Sequence, residues 1–332
     1  FKTGRSGLVS ADSNKILPMT KSESVGSLVR TIQISIRYEG QRLDNFLFRE
    51  LKGVPRSRIY RLIRRGEVRL NKKRCKPDYK LSVGDRIRVP PVRISSKTKG
   101  PRTSPALTEL LLSRILYETD DFLVLNKPPG FSVQGGENVQ FNLIDALRAS
   151  KPEWKVLELV HRLDRDTSGC LLLSKNLIFH RALQEQFKLK TIKKTYHAIV
   201  HGCWPAGLKL VDAALLKSEL KSGERVVKVE KGGKPSKTEF KVIKQYQKAA
   251  YIEARPITGR THQIRVHCQY AGCPIAGDLK YGPKNKSSEL HPTKKLCLHA
   301  ARLRFLDPTS QQQLEISAPL DKYFQKYLDK II

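Results

Sequence analysis

Negative charge is what this chain has least of. Only 31 Asp and Glu stand against 63 Lys and Arg in 332 residues, a formal net charge of +32. Such an excess costs self-repulsion in the folded state, and the usual reason to carry it is a polyanionic partner. No apolar run approaches the roughly 20 residues that cross a bilayer. No basic amphipathic helix with bulky apolar anchors sits at a terminus either, so nucleic acid rather than membrane is expected. Cysteine is sparse, with six residues and no C-x-x-C pair. Several lie in apolar runs, as reduced, packed thiols of a reducing compartment do. His267, Cys268, Cys273, Cys297 and His299 could be imagined around a metal, but their spacing fits no common zinc pattern. A Walker loop, a dinucleotide fingerprint and internal repeats are all missing, which argues against nucleotide cofactors and solenoid folds.

What is there suggests two domains, since 332 residues with 39% hydrophobic content can bury a core. Residues 1–30 are rich in Ser, Gly and Lys and are expected to be disordered. The single methionine is Met19, so residues 1–18 read as an upstream remnant rather than a transit peptide, which would show an amphipathic face. Residues 42–93 form a compact basic unit with 17 Lys/Arg and 5 Asp/Glu. Leu43, Phe46, Leu47 and Leu51 recur at helical spacing and predict a helix over 42–52. After Pro55, residues 57–65 form a second helix with Ile59, Leu62 and Ile63 inward. Its other face carries Arg58, Arg61 and Arg65 in one stripe, suited to gripping phosphates. Residues 68–71 and 86–89 read as strands.

Residues 31–93 are thus expected to form one domain, 94–108 a basic tether, and 109–332 a second domain. In the latter, strands are predicted at 115–117, 122–125, 196–200 and 251–254, and helices at 143–149 and 179–189. Strands and helices without βαβ regularity predict an α+β domain around a mostly antiparallel mixed sheet.

The most informative stretch is His161-Arg162-Leu163-Asp164-Arg165-Asp166-Thr167-Ser168-Gly169. It lies between apolar runs at 156–160 and 170–173, and reads as a loop between two buried strands with a carboxylate at its tip. Arg162 and Arg165 on either side are expected to favour the ionised form of Asp164 and hold it in a fixed direction. Thr167 and Ser168 supply short hydrogen-bonding side chains, and Gly169 a residue able to take positive φ.

Over its whole length this stretch resembles the signature of the RluA-type pseudouridine synthases, H-R-L-D-x-x-T-S-G. The resemblance implies that Asp164 is catalytic and that Arg162 helps extrude the target base. Lys193-Lys194-Thr195-Tyr196-His197-Ala198 resembles the family's second motif, which implies that Tyr196 lies against that base with its ring and hydroxyl. Residues 258–267 resemble the third motif, which implies a salt bridge from Arg265 to Asp164. In that motif Gly259 permits a turn and Thr261 is expected to cap the following helix. Arg260 and His262, with Arg162, Arg165 and Thr167, are the candidate RNA contacts around the site. His262 and His267 have no third ligand at a persuasive spacing, so no metal is expected. Lys127-Pro128-Pro129-Gly130 resembles a shared turn near the cleft. Residues 278–282 and 298–300 match family positions assigned to core and pocket wall. The basic loop 283–295 is expected to reach for RNA backbone.

Residues 42–90 resemble the alpha-L RNA-binding fold shared with a small-subunit ribosomal protein. The implied reaction is isomerisation of uridine to pseudouridine within RNA, with no cofactor. Together with residues 66–81 and 90–93, the domain order looks closest to a branch acting on bacterial 23S ribosomal RNA. The expected partner is therefore that RNA or a large-subunit assembly intermediate, in the cytoplasm, with no obligate protein partner. A sister branch with the same domain order and a tRNA-specific member are alternatives. So is a non-catalytic RNA-binding or ribosome-assembly factor, although a pure binder need not keep Asp164, Tyr196 and Arg265 together.

Overall fold

The computed structural model describes residues 29–51, 53–92, 105–135, 142–219, 225–283, 293 and 295–331. The expectation for residues 1–30 falls almost wholly outside these, as does most of the tether and of the basic loop 283–295. The chain divides into two compact units between Lys99 and Gly100.

In the smaller unit, β1 (Arg30–Gln33), β2 (Arg69–Leu70) and β3 (Arg86–Val89) form a three-stranded antiparallel sheet in the order β1-β3-β2. Helices α1 (Leu43–Glu50) and α2 (Arg56–Arg65) lie against it. Leu43, Phe46, Leu47, Ile59, Leu62 and Ile63 are buried in its core as their spacing predicts. Gly66 ends α2 in the left-handed conformation, where a Cβ would be strained. The opposite face leaves Arg58, Arg61 and Arg65 exposed.

The larger unit begins with α3 (Pro105–Leu112), a helix where a tether was expected up to residue 108. Pro105 suits a first helical position, and Leu111, with Leu107 and Leu112 beside it, packs on the hydrophobic core. Then follow β4 (Ile115–Glu118), β5 (Phe122–Lys127), α4 (Leu143–Ser150), β6 (Glu158–Leu159), β7 (Ser168–Ser174) and α5 (Leu177–Lys188). Next come β8 (Lys193–His201), β9 (Leu210–Asp212), β10 (Leu215–Glu219), β11 (Arg225–Val229), β12 (Lys237–Gln245) and β13 (Ala249–Pro256). The unit ends with α6 (Gln263–Tyr270), β14 (Leu298–Leu306), β15 (Gln313–Ser317) and α7 (Lys322–Ile331).

Ten strands form one sheet whose main path is β4-β5-β7-β14-β8-β13-β12-β9, with β15 on β14 and β6 on β7. Among the described residues, only the β7–β14 pair of this sheet is parallel. Strand alternation decides which helices the sheet carries. Leu123, Leu125, Leu171 and Leu173 face the cluster that includes α4, whereas Phe122, Val124, Cys170 and Leu172 face the one that includes α5. Two asparagines set those helices: Asn142 Oδ1 accepts from the Asp145 N–H (3.0 Å) and Asn176 Oδ1 from the Phe179 N–H (2.8 Å). The second cap starts α5 at Leu177, ahead of the predicted residue 179.

The apolar run at 156–160 is not a full strand. A 3-10 turn over Pro152–Val156 buries Trp154, and only Glu158 and Leu159 pair with β7 before the chain leaves for the loop. Strands β9 to β12 escape prediction because their outward faces are solvated and the burial alternation is short.

Gly169 stands where β7 meets β14. It has φ +103°, and a Cβ on it would come within 2.2 Å of the Ala300 carbonyl oxygen. Gly169→Ala is expected to destabilise the larger unit by about 3 kcal/mol, read as a fall of about 6–12 °C in its thermal midpoint. An unchanged midpoint would show that the two strands can separate at no cost.

Candidate active site

The loop between β6 and β7 is tied down on all sides. The Thr167 N–H closes a turn on the Asp164 carbonyl at 3.2 Å. The Arg165 carbonyl accepts both from the Gly130 N–H (2.9 Å) and from Lys127 Nζ (2.8 Å), which also donates to the Pro128 carbonyl at 3.0 Å. Lys127 is fully buried, and burial pulls its pKa down to about 7 against the attraction of Asp166, Asp164 and Asp321. The Lys-Pro-Pro-Gly turn therefore braces the loop from beneath. On the far side Ser168 Oγ bonds His299 Nδ1 at 2.8 Å, while His299 Nε2 meets the Ala318 carbonyl at 3.2 Å. A carbonyl can only accept, so Nε2 carries the proton and Nδ1 accepts from the serine. His161 is half-buried, and burial lowers its pKa to about 3, so its neutral ring accepts the Leu172 N–H through Nε2 (3.0 Å).

The neighbouring arginines do not hold Asp164. Arg165 turns to Asp166 at 3.0 Å, and Arg162 is exposed. The Asp164 counter-ion comes instead from elsewhere in the fold. It is Arg265 on α6, whose Nη1 lies 3.2 Å from Asp164 Oδ2. The other edge of the same guanidinium is held in a bidentate pair by Asp278, with Nε–Oδ2 at 2.7 Å and Nη2–Oδ1 at 2.8 Å. Asp278 is itself fixed by the N–H groups of Lys280 (2.9 Å) and Tyr281 (3.0 Å). The Arg265 guanidinium carbon sits 5.0 Å from the centre of the Tyr281 ring. Burial alone would lower the Arg265 pKa, but the hydrogen bonds and charges of Asp278 and Asp164 outweigh it and leave it raised. Asp278 shows the mirror effect. Burial pushes its carboxyl up, and Arg265 with the two backbone donors brings it below the usual range.

His262 begins α6 and adopts φ +54°, with no side-chain cap bond. The expected Thr261 cap is thus absent, because the chain turns through His262 itself. Its Nδ1 shares a hydrogen bond with the Tyr281 hydroxyl (2.7 Å), and Nε2 lies 3.8 Å from Asp164. Burial lowers the His262 pKa despite the pull of Asp164, so the contact is not a full ion pair at neutral pH. Gln263 binds the Thr258 hydroxyl and the Arg260 N–H, which fixes the turn before α6.

Tyr196 lies on β8, and its pKa is raised by burial and then by Asp164, so the hydroxyl keeps its proton. It lines a cleft of about 720 Å³ together with Asp164, Arg162, Thr167, Arg260 and Arg265. A second cavity of about 890 Å³ shares Arg162, Asp164, Arg260, His262 and Arg265 and adds Arg165, Lys217 and Lys280. Asp164, 28% exposed, is therefore reached from a continuous basic groove. The eight site residues predicted in this unit all line one cavity or the other. Arg58, Arg61 and Arg65 belong to the smaller unit. Among the described residues, no group of three His, Cys, Asp or Glu is placed to hold a metal, and no helix is long and apolar enough to cross a membrane.

This combination of fold and site is that of an enzyme that modifies RNA bases. Residues 121–270 match the RNA pseudouridylate synthase family and residues 41–87 the S4 domain. A ribosomal large subunit pseudouridine synthase C from Haemophilus influenzae is 48% identical over 319 residues, covering 94% of this chain and 99% of that protein. The protein of the same name from Escherichia coli is 49% identical over 309 residues, covering 91% and 97%. A solved structure titled human RNA pseudouridylate synthase domain containing 4 matches with a TM-score of 0.56 and 26% identity. It covers 68% of this chain and 95% of that one. The chain belongs to the RNA pseudouridine synthase family.

Asp278 and Lys127 carry more of the site than their sequence suggests. The family resemblance places Asp278 in the core and pocket wall. The available signal was a single arginine expected to pair with a carboxylate on a polar cleft, which needs a second partner to fix its direction. The Asp278 carboxylate stabilises the fold above its usual pKa of 3.8, and that contribution is lost as pH falls through its lowered value. Asp278→Asn is expected to cost about 3–5 kcal/mol at pH 7, with the gap to the unaltered protein narrowing below pH 3.8. Urea unfolding at neutral and strongly acidic pH measures this, and a gap independent of pH would rule the ion pair out as its source.

Proposed function

We propose that this protein isomerises uridine to pseudouridine at defined positions of bacterial 23S ribosomal RNA, and that Asp164 carries the chemistry. The observation that supports this most is the carboxylate of Asp164, set on a braced loop, paired with Arg265 and facing Tyr196 across a basic cleft. The substrate follows from relatives named for the large ribosomal subunit that match nearly the whole chain. A bacterial ribosomal substrate puts the enzyme in the cytoplasm.

The reaction breaks the bond between C1′ of the ribose and N1 of uracil, and makes one between C1′ and C5. The C5 proton leaves to solvent and N1 gains one, so atoms balance without an external donor. Asp164 serves either as nucleophile at C1′ or as base at C2′, and both routes need a carboxylate fixed in direction. Arg265 supplies that direction and screens Asp164 from the phosphodiester backbone. Tyr196 offers a flat ring to the extruded uracil, worth about 1–3 kcal/mol of stacking. Unstacking the base from folded RNA costs roughly a few kcal/mol, and Arg162, exposed at the cleft mouth, fills the space it leaves. Arg165, Thr167, Arg260 and His262 line the groove for the flanking nucleotides. The smaller unit, with Arg58, Arg61 and Arg65 exposed on α2, docks on folded RNA through phosphates, which position without specifying sequence.

Asp164→Asn is expected to lower pseudouridine formation in protein-free 23S RNA by at least ~10³-fold while leaving RNA affinity within about twofold. Mapping pseudouridines after incubation with each protein tests this. No modification by the unaltered protein, despite salt-sensitive binding, would favour another RNA or a non-catalytic assembly factor. Arg162→Ala should slow modification of structured RNA by about 10-fold more than that of a loose single strand, since only the former must be opened. Equal losses on both substrates would remove the role in base extrusion.

A further inference from the structure

Lys194 is the charged group of the cleft that the mechanism leaves unused. It lies on β8, two residues before Tyr196 on the same strand face, roughly 7 Å along the chain, and it lines the same cleft. Of the other cations there, Arg162 is exposed to solvent and three are engaged. Arg265 holds Asp164 and Asp278, Arg148 holds Asp145 (3.5 Å) and Glu158 (3.0 Å), and Arg260 Nε donates to the Pro235 carbonyl. Among the described residues, Lys194 has neither an ion pair nor a hydrogen bond. Its ammonium stands 5.9 Å from the centre of the Phe187 ring, a weak neighbour for a full charge. Opposite it the chain carries Gly259, where a Cβ would lie 3.9 Å from Nζ. The turn therefore leaves the ammonium open to the groove.

A half-buried cation without a counter-ion is costly, and nothing in the packing requires one at this place. The cost is visible, since burial pulls the Lys194 pKa down to about 8 with no carboxylate drawing it back. The missing anion is not part of the protein. We propose that Lys194 is a substrate-binding residue whose counter-ion is a backbone phosphate of the RNA next to the uridine held on Tyr196. This rests on the function proposed above. It gives the enzyme a grip on the flipped nucleotide itself, separate from the general attraction of the basic surface. A phosphate that neutralises Lys194 raises its pKa, so binding takes up a proton around pH 8 and affinity falls as pH rises beyond that value. The other titratable groups of the cleft behave differently. His161 and His262 are pushed down by burial and Tyr196 up, Asp164, Asp145 and Glu158 are paired with arginines, and Arg162 and Arg260 are permanent cations. Lys127 also titrates near neutrality, but it lies beneath the loop and stays in place in every Lys194 variant.

The test uses the full chain and a labelled protein-free 23S transcript, with affinity measured over salt concentration and from pH 7 to 9.5. Lys194→Met keeps the apolar stem against Phe187 and removes the charge. It is expected to weaken binding about five- to tenfold at pH 7 and to reduce the salt slope by about 0.7–0.9. Lys194→Arg is expected to keep the affinity and the slope but lose the weakening above pH 8. Thermal midpoints confirm that each variant is folded. A Lys194→Met protein with unaltered affinity and slope would overturn the proposal and leave the side chain as packing. A loss of turnover with an unaltered slope would also overturn it, placing the ammonium on the uracil carbonyls instead. Modification of the transcript by the unaltered protein is scored in the same experiment. Its absence defeats the parent reading, whereas activity with unchanged Lys194→Met binding defeats this inference alone.

Discussion

One guanidinium organises the site. Arg265 is buried with only a tenth of its side chain exposed, and it divides its donors between a fully buried carboxylate and a partly exposed one. The Asp278 pair is bidentate and further fixed by two backbone N–H groups, so Arg265 has one direction in which to point. Asp164 receives an N–H of Nη1. A charge cluster of this kind is expensive to desolvate, and removal of any member leaves an uncompensated charge behind. That asymmetry makes the cluster rigid, and rigidity is what a reacting carboxylate needs.

The loop that carries Asp164 is held by different means. Its two ends enter one sheet, and its carbonyls and hydroxyls are met by Lys127 at the end of β5, by Gly130 of the turn after it and by His299 of β14. Gly169 lets β7 run so close to β14 that the parallel pair forms immediately after the loop. A conformational requirement of one residue thereby sets the distance between the signature loop and the strands that carry Tyr196 and His299. Packing decides the remainder, since both faces of β5 and β7 are covered and cannot shift register without exposing leucines.

Electrostatics then divides the molecule into tasks. The basic excess of the chain attracts RNA at long range and is screened by salt. Within the cleft, groups are fewer and more strongly coupled. Burial keeps His161 and His262 neutral, holds the proton on Tyr196 and depresses Lys127 and Lys194. Charge at the surface acts on a polyanion at long range, while the few charges within the cleft act over short distances and are little screened.

The sequence alone determined the class of fold, the arginine stripe of α2 and the residues that line the candidate site. Helical spacing placed Phe46, Ile59 and Leu62 in the small core, and three motifs singled out Asp164, Tyr196 and Arg265, because local periodicity and short motifs are properties of neighbouring residues. Tertiary structure decided which charges meet. Arg162 and Arg165 adjoin Asp164 in the chain, yet its partner lies 101 residues away, and that partner in turn depends on Asp278. The helix over Pro105–Leu112, the left-handed turn at His262 and the solvated strands of the far sheet edge were likewise settled by packing. Ion pairing and burial depend on distances across the fold, which a linear sequence does not contain.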